Sequence, residues 1–366
     1  MLVAAVVVTF LVSLRPVQPL HMPRFFGDGM VLQSNNQCTC LGCCEVHIAP
    51  LISTNGMDLV RSIRVLAPHG SCCRSPLADG VRSFLSGWAD PHEKVTVTAP
   101  SGPGKSRQET YTTLADADGT WAIQLNPPGN PLNKGGGSAT ITVTGSKHGG
   151  EPLVAKNVSF GDVILCAGGA TMSTPLGATA ITTTPFPPGI RVFTVGQAVA
   201  KASPSGRPDV PANSTGWISV HDGPATMVAA ASALCIQSAA ELLRLYPRAS
   251  GRKLGIIVAA TQHDEDLAMW MPDATANSAA SVCRPPNASS PARLVAMPTR
   301  YNAMIAPFTL TSFRAVLWAL SPMLRGSVKL EACRFRAMIN GWRDAMPVGD
   351  IAFHIVQSQI HNHGQI

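Results

Sequence analysis

Charged residues are scarce in this 366-residue sequence, and it contains no run of five or six basic residues. Only 13% of the residues are charged, and the net charge of +7 is spread along the chain. Nucleic-acid binders concentrate positive charge to neutralise phosphates, so we expect no nucleic-acid partner. Disorder requires low hydrophobicity, whereas 45% of these residues are hydrophobic, which excludes a wholly disordered chain.

Long hydrophobic runs are absent after residue 14, so we expect no membrane-spanning helix, which needs about 18 apolar residues or more. Leu2–Leu14 is almost entirely apolar and has the length of a signal-peptide core, which predicts a signal peptide over residues 1–21. A mis-set start or a buried strand is the alternative. A secreted or lysosomal glycoprotein is expected, with three Asn-x-Ser/Thr sequons as glycosylation candidates: Asn157, Asn213 and Asn287.

Cysteine is unevenly distributed, with six of ten residues between Cys38 and Cys73. Structural zinc sites favour pairs separated by two to four residues, whereas this segment contains two adjacent Cys-Cys dipeptides. Disulfides in an exported chain are therefore the favoured interpretation, and we expect neither a metal nor a cofactor. Four isolated cysteines in apolar surroundings are predicted to be small buried hydrophobes: Cys166, Cys235, Cys283 and Cys333.

Short runs with a period of two dominate residues 82–158, such as Lys94–Thr98 and Ser138–Thr144. Asp-Gly and Gly-rich turns separate them, a pattern typical of antiparallel strands. With residues 22–33 as its start, this region predicts a small β-sandwich domain. Segment 34–81 interrupts the pattern and is predicted to be a Cys-rich irregular insertion. Whether it is a disulfide-knotted loop or sequence that mature transcripts lack stays open.

Residues 159–366 follow a different pattern, with continuous apolar runs at Val163–Ala167, Leu254–Ala260 and Arg314–Leu320. Such runs are typical of parallel strands buried on both faces. A helical pattern covers Thr226–Tyr246, so strands alternate with helices and predict an α/β layer fold. The last two elements predicted are a helix capped by Ser327 with an apolar stripe of Phe335, Met338, Trp342 and Met346, and a strand at Ile351–Gln357.

Two motifs that suggest ligands are better explained as turns. Ala99–Ser106 matches a relaxed phosphate-binding loop, which needs a helix directly after it. Arg107–Leu114 alternates like a strand instead, so the motif predicts a hairpin turn. Asp116–Gly119 is a fragment of a calcium loop without its closing glutamate, and it is likewise predicted to be a turn.

The crevice at the carboxyl ends of the parallel strands is the predicted ligand site. Around it, Phe25–Gln33, Gly161–Gly168, Asn302–Pro307 and Gly341–Arg343 resemble sialate O-acetylesterase and its relatives, which are SGNH-type serine esterases. The resemblance implies a three-layer, flavodoxin-like parallel sheet that is preceded by a small antiparallel β-sandwich domain. It also implies hydrolysis of O-acetyl esters on sialic acids, so the expected ligands are O-acetylated sialic acids or other acetylated glycans.

The first catalytic block departs from that family. Its members have Gly-Gln-Ser-Asn-Met with serine as the nucleophile, whereas this chain has Gly168, Gly169, Ala170, Thr171 and Met172. Ala170 therefore stands at the nucleophile position, and a methyl group cannot attack a carbonyl. Ser173, three residues later, is expected to point elsewhere from a tight turn.

The other blocks are altered as well. Glycines whose amides approach the developing oxyanion are replaced by Gln262 and His263. Trp318–Leu324 lacks the polar groups of the third block. The final Asp-x-x-His block has no counterpart, since His361 and His363 have no Asp partner, and we expect a C-terminally truncated relative.

No catalytic residue of the family is intact, so an impaired or inactive acetylesterase is predicted. Three alternatives remain: an active esterase, a glycan-binding or structural pseudoenzyme, and a degraded gene product. His263–Asp266 is the last cluster with ionisable groups. It is interpreted as a solvated loop rather than as a metal site, because four consecutive polar residues cannot all converge on one ion.

Overall fold

The computed structural model describes residues 19–33, 53–54, 57–58, 62–66, 83–101, 107–126, 138–147, 151–179, 186–199, 208–245, 253–283, 299–320, 328–346 and 351–357. Several predictions fall outside these residues. They concern the apolar core of the signal peptide, the cysteines between Cys38 and Cys73, Asn287, the Ser327 cap, and the histidines at 361 and 363. Among the described helices, none is both long and apolar enough to cross a membrane.

Strands supply most of the regular structure. They are β1 Val31–Gln33, β2 Ser53–Thr54, β3 Met57–Asp58, β4 Ser62–Leu66, β5 Ser83–Trp88, β6 Lys94–Ser101, β7 Arg107–Leu114, β8 Thr120–Leu125, β9 Ala139–Gly145, β10 Leu153–Gly168, β11 Ile190–Thr194, β12 Ile218–Ser219, β13 Leu254–Ala260, β14 Ala315–Leu320 and β15 Ala352–Gln357. The helices are α1 Ala170–Ser173, α2 Ala225–Ala230, α3 Ala233–Leu245, α4 Asp273–Val282 and α5 Val328–Ala345.

The α/β half is built on a mostly parallel sheet with the strand order β12-β11-β13-β10-β14-β15-β4. Its five central strands are parallel, and the short β12 and β4 are antiparallel at the two edges. Every residue of β13 is buried, as its continuous apolar run predicts. The predicted mixed α/β architecture with a largely parallel sheet is therefore confirmed.

The antiparallel region is formed by β9-β6-β7 and by the pair β5-β8. Alternate residues of these strands point into a common core, where Val95, Val97, Trp121, Ile141 and Val143 are buried. The antiparallel strands predicted between residues 82 and 158 are thus present.

Asp116–Gly119 lies between β7 and β8. Ala99–Ser101 of the phosphate-loop motif belong to β6, and its remaining residues, 102–106, lie outside the described residues. The strand predicted after the phosphate-loop motif is β7, which pairs antiparallel with β6. Asp116–Gly119 is a tight turn, in which the Gly119 amide donates to the Asp116 carbonyl at 2.9 Å.

Strand β10 runs through the boundary that we predicted between residues 158 and 159. Its first part pairs antiparallel with β9, Ser159–Gly161 pair with β1, and Asp162–Gly168 pair with β13. The hydrophobic pattern changes near Gly161 because the strand acquires different neighbours there, not because the strand ends. The two halves therefore share one continuous strand.

Segment 34–81 contributes a regular edge to the sheet. Ser62–Leu66 forms β4, which pairs antiparallel with β15 from Phe353 to Gln357. The prediction of an unfinished sheet edge beyond β15 is corrected here, whereas most of the predicted irregular insertion lies outside the described residues. The reason is that β4 gains its hydrogen bonds from a strand nearly 300 residues away, which local periodicity does not reveal.

The helices largely follow their apolar patterns. The stripe on α5 is buried, as predicted. The single helix predicted over Thr226–Tyr246 is instead divided into α2 and α3, because Ser232 forms a β-bridge with Pro175. The neighbouring backbone is also committed to that bridge, since the Leu176 amide donates to the Ala231 carbonyl at 2.9 Å.

The four isolated cysteines form two disulfides. Cys166 of β10 is bonded to Cys235 of α3, and Cys283 at the end of α4 is bonded to Cys333 of α5. Cys166, Cys235 and Cys283 are buried, as predicted, but the expectation that they are unpaired hydrophobes is wrong. An apolar sequence environment indicates burial without indicating which distant elements pack together.

Candidate functional site

The predicted site lies where β10 ends. Gly168, its last residue, has φ +142°, a conformation that favours glycine, and a Cβ there would lie 2.9 Å from the Ala319 carbonyl oxygen of β14. The Gly168 carbonyl accepts a hydrogen bond from the Thr261 amide at 3.0 Å, which joins the ends of β10 and β13. Parallel strands thus bring the loops after β10 and β13 to one edge, as expected.

The altered first block forms the short helix α1. Ala170 is its first residue, directly after Gly169, so the position predicted for a nucleophile lies at the carboxyl end of β10. Thr171 and Met172 are buried beneath it. The Met172 sulfur lies 3.2 Å from the Cys235 sulfur, which places the Cys166–Cys235 disulfide under the site.

An acidic side chain accepts a hydrogen bond from the first backbone amide of α1. The Ala170 amide donates to Asp264 Oδ1 at 3.1 Å. Gly169 is required for this approach, because a Cβ at that position would overlap Asp264 Oδ1 and lie 3.1 Å from the His263 carbonyl oxygen. Nothing in the local sequence predicts this contact, although Asp264 follows β13, the strand adjacent to β10.

Ser173 is the nearest hydroxyl in sequence to the nucleophile position. Its Oγ donates to the Ala170 carbonyl at 3.1 Å, which directs the hydroxyl back along its own helix. Thr174 makes the equivalent bond to the same carbonyl at 3.2 Å. The Ser173 hydroxyl thus points back along α1, and that it does not act as a nucleophile stays a prediction.

Gln262 and His263, which the resemblance predicts to stand in place of glycines, are exposed. The loop turns back at this point because the Thr261 hydroxyl donates to the His263 carbonyl at 2.8 Å. That carbonyl faces Gly169. An acceptor oxygen therefore lies beside α1 in this loop.

The acids that follow His263 have separate partners. Glu265 forms a two-point ion pair with Arg300, at 2.7 Å from Oε2 to Nε, and Arg300 also donates to the Ala198 carbonyl at 2.8 Å. Asp266 accepts from the Ala268 amide at 2.8 Å. The interpretation of this segment as a simply solvated loop is corrected here, because ion pairs hold it in place.

No group of three metal-ligating side chains occurs among the residues that the structure describes. Arg300 is followed by a buried π-helical turn, Tyr301–Ile305, which includes the Asn302 of the family-like motif. Burial raises the pKa of Tyr301 to about 12, so its phenol stays protonated near neutral pH. Within the described residues, Asn302 Nδ2 is buried without a hydrogen-bond partner.

The two sequons within the described residues lie toward opposite ends of the parallel strands. Asn157 lies within β10, with φ +55°, and Arg191 at the start of β11 donates to its side-chain oxygen at 2.9 Å. Asn213 lies in an exposed turn, and the Thr215 amide that follows donates to the Thr194 carbonyl at the carboxyl end of β11 at 2.9 Å. Asn213 therefore lies at the carboxyl ends of the parallel strands, as the candidate site does, whereas Asn157 does not.

Comparisons with known proteins indicate the fold. No protein-family model matches the chain, and no curated protein matches it in sequence. Among solved structures, a carbohydrate acetylesterase from Xanthomonas citri is similar, with a TM-score of 0.58 and 18% sequence identity. The similarity covers 91% of this chain and 59% of that one, so the chain spans about three fifths of the esterase. At this identity the likeness shows a shared α/β fold.

Proposed function

We propose that this protein is an acetylesterase-fold protein that binds acetylated carbohydrates without hydrolysing them by serine chemistry. O-Acetylated sialic acid is the ligand that the sequence resemblance implies. The observation on which the proposal depends is the pairing at the head of α1, where Ala170 replaces a nucleophile and its amide is bonded to Asp264. The fold shared with a carbohydrate acetylesterase supports the class of ligand.

Serine ester hydrolysis needs a nucleophile, a base within hydrogen-bond reach and donors for the developing oxyanion. Ala170 offers no oxygen. The first amide of α1 already donates to a carboxyl oxygen, so it is not available as a donor to a developing oxyanion. Two of the three requirements, the nucleophile and an oxyanion donor, are therefore unmet at Ala170.

The alternative is an active O-acetylesterase that uses a different nucleophile. Ser173 is its best candidate because it lies in the same helix, but its hydroxyl is bonded to the Ala170 carbonyl. A Ser173→Ala variant separates the two functions, since only the active alternative requires that hydroxyl.

The esterase test uses the purified full chain with p-nitrophenyl acetate and with 9-O-acetylated sialic acid. We expect turnover equal to that of heat-denatured protein, and no single serine labelled by a fluorophosphonate. Loss of the nucleophile in a well-studied serine hydrolase lowers turnover by about a millionfold. Hydrolysis that the fluorophosphonate or Ser173→Ala abolishes would disprove the proposal.

Restoring the serine tests the same reasoning from the other direction. We predict that Ala170→Ser alone stays at background, because the amide of residue 170 is still bonded to Asp264 and is not available to a developing oxyanion. The variant is assayed with both substrates, beside Ser173→Ala as the matched control. Rapid hydrolysis by Ala170→Ser would mean that a base and oxyanion donors survive in the chain.

Ligand binding needs a separate measurement. Calorimetric titration with 9-O-acetylated and with unmodified sialic acid should give binding only for the acetylated form. Equal binding of both, or no binding of either, would remove the glycan-binding part of the proposal and leave a structural role.

We also propose a secreted or lysosomal location. The two disulfides support it, because disulfides persist mainly in oxidising compartments. Expression of the full chain in animal cells should place it in the medium or in lysosomes. Retention in the cytosol would contradict this location.

A further inference from the structure

Asn213 lies at the tip of a turn that the surrounding residues hold in place. The side chain of Asn213 is exposed, and the turn is closed by the Ser214 amide, which donates to the Pro211 carbonyl at 2.9 Å. Exposed turn tips accept bulky attachments without disturbing packing, because no buried backbone must move.

The two residues after Asn213 anchor the turn to β11. The Ser214 hydroxyl accepts from the Gly196 amide at 2.9 Å, and the Thr215 hydroxyl accepts from the Thr194 amide at 2.8 Å. These bonds fix Ser214 and Thr215 against the sheet and leave Asn213 outside it. Gly196 makes room for the asparagine, since a Cβ there would overlap the Asn213 side-chain oxygen and its carbon.

We propose that Asn213 is an N-glycosylation site, in the sequon Asn213-Ser214-Thr215, and that its glycan stands at the edge of the sheet that holds the candidate site. Asn213 Nδ2 forms a bond to the anomeric carbon of a lipid-linked oligosaccharide diphosphate. The bond from that carbon to the diphosphate oxygen breaks, Nδ2 loses one proton, and the lipid diphosphate leaves. This inference rests on the proposed secretory route.

Asn157 provides a comparison within the same chain. Arg191 donates to both its backbone carbonyl, at 2.6 Å, and its side-chain oxygen, at 2.9 Å. The hydroxyl residue of that sequon, Ser159, is buried within β10, where it pairs with Val31 of β1. A glycan at Asn157 would therefore extend from a residue fixed inside a strand, whereas Asn213 lies in an exposed turn.

The test expresses the full chain in animal cells behind an added secretory signal, so that entry into the secretory route does not depend on residues 1–21. Peptides of the secreted protein are treated with N-glycosidase, which converts a glycosylated Asn to Asp, and position 213 is read by mass spectrometry. Asn213→Gln removes the acceptor, and Asn157→Gln is the matched control. Thr215→Ala is unsuitable as a knock-out because Thr215 also holds the Thr194 amide.

We expect conversion at position 213 in most molecules, loss of one N-glycosidase-sensitive mass step in Asn213→Gln, and conversion at 213 unchanged in Asn157→Gln. Secreted protein that melts cooperatively but shows unmodified Asn213 would overturn the inference. Expression without the added signal tests the secretory route by itself, so failure of that route and failure of the site are distinguishable.

Discussion

At the residue scale, the site is defined by a contact between two neighbouring loops rather than by Ala170 alone. Gly169 has no side chain, and this allows Asp264 to reach the Ala170 amide. The prediction that Ala170 stands at a nucleophile position comes from the family resemblance of the sequence. Asp264 could not, because its partner is chosen by the adjacency of β10 and β13 rather than by spacing along the chain.

Gly169→Ala tests this contact. We predict a loss of about 1–3 kcal/mol in unfolding free energy, because the added methyl overlaps Asp264 Oδ1. Gly216→Ala is the matched control, since a Cβ at that glycine meets nothing within 4 Å. In an Asp264→Ala background the loss should be smaller. Urea unfolding of the unchanged protein, of Gly169→Ala, of Asp264→Ala and of the double variant gives the coupling free energy between the two positions. Additive losses would show that Gly169 does not serve the Asp264 contact.

His354 gives a pH-dependent prediction. It lies in β15 between Leu317 and Val65, and burial lowers its pKa below the ordinary value of 6.5. The unfolded chain therefore binds a proton at a higher pH than the folded one. Stability is full above pH 6.5 and declines as the pH falls from there to the folded pKa.

Unfolding free energies of the protein and of His354→Gln, measured between neutral and mildly acidic pH, test this expectation. In His354→Gln the unfolding free energy should fall less as the pH is lowered, because the contribution of His354 is removed. His263→Gln, at an exposed position, should keep it. Identical pH profiles for all three proteins would contradict the prediction.

At the element scale, local pattern predicted the central strands and the face of α5 that is buried. Continuous apolar runs identify β13 and β14 because both faces of these strands are covered. The pattern failed where a distant partner decides the conformation. Ser232 interrupts a helical sequence to bridge Pro175, and Ser62–Leu66 becomes a strand only because β15 offers an edge.

The Cys283–Cys333 disulfide also depends on partners that are distant in sequence. It joins α4 to α5 across 50 residues of sequence, and a cross-link of this kind restricts the unfolded chain. We predict that Cys283→Ala with Cys333→Ala lowers the free energy of unfolding by about 2–4 kcal/mol. Urea unfolding measures the change, with Val282→Ala as a control, since Val282 is 73% exposed. Free thiols at both positions in the unreduced protein would show that the bond does not form.

At the scale of the whole molecule, β10 joins the two architectures that the hydrophobic pattern separates. Its residues pair in turn with β9, β1, β13 and β14. The same strand also presents the candidate site at its carboxyl end. The sequence indicates the alternating and the continuous hydrophobic patterns correctly. The period of the hydrophobic residues alone does not tell whether the change between them occurs at a linker or within one strand.

A shared strand makes a thermodynamic prediction. Unfolding of the antiparallel region would break the β9 pairing of β10 and release the strand on which β13 and β14 depend, so the described regions should unfold together. Scanning calorimetry should give one transition, with calorimetric and van't Hoff enthalpies in agreement. Val97→Ala in β6 and Ile256→Ala in β13, both at buried positions, should each lower the same midpoint. Two transitions, each shifted by only one of these variants, would show that β10 does not couple the two halves.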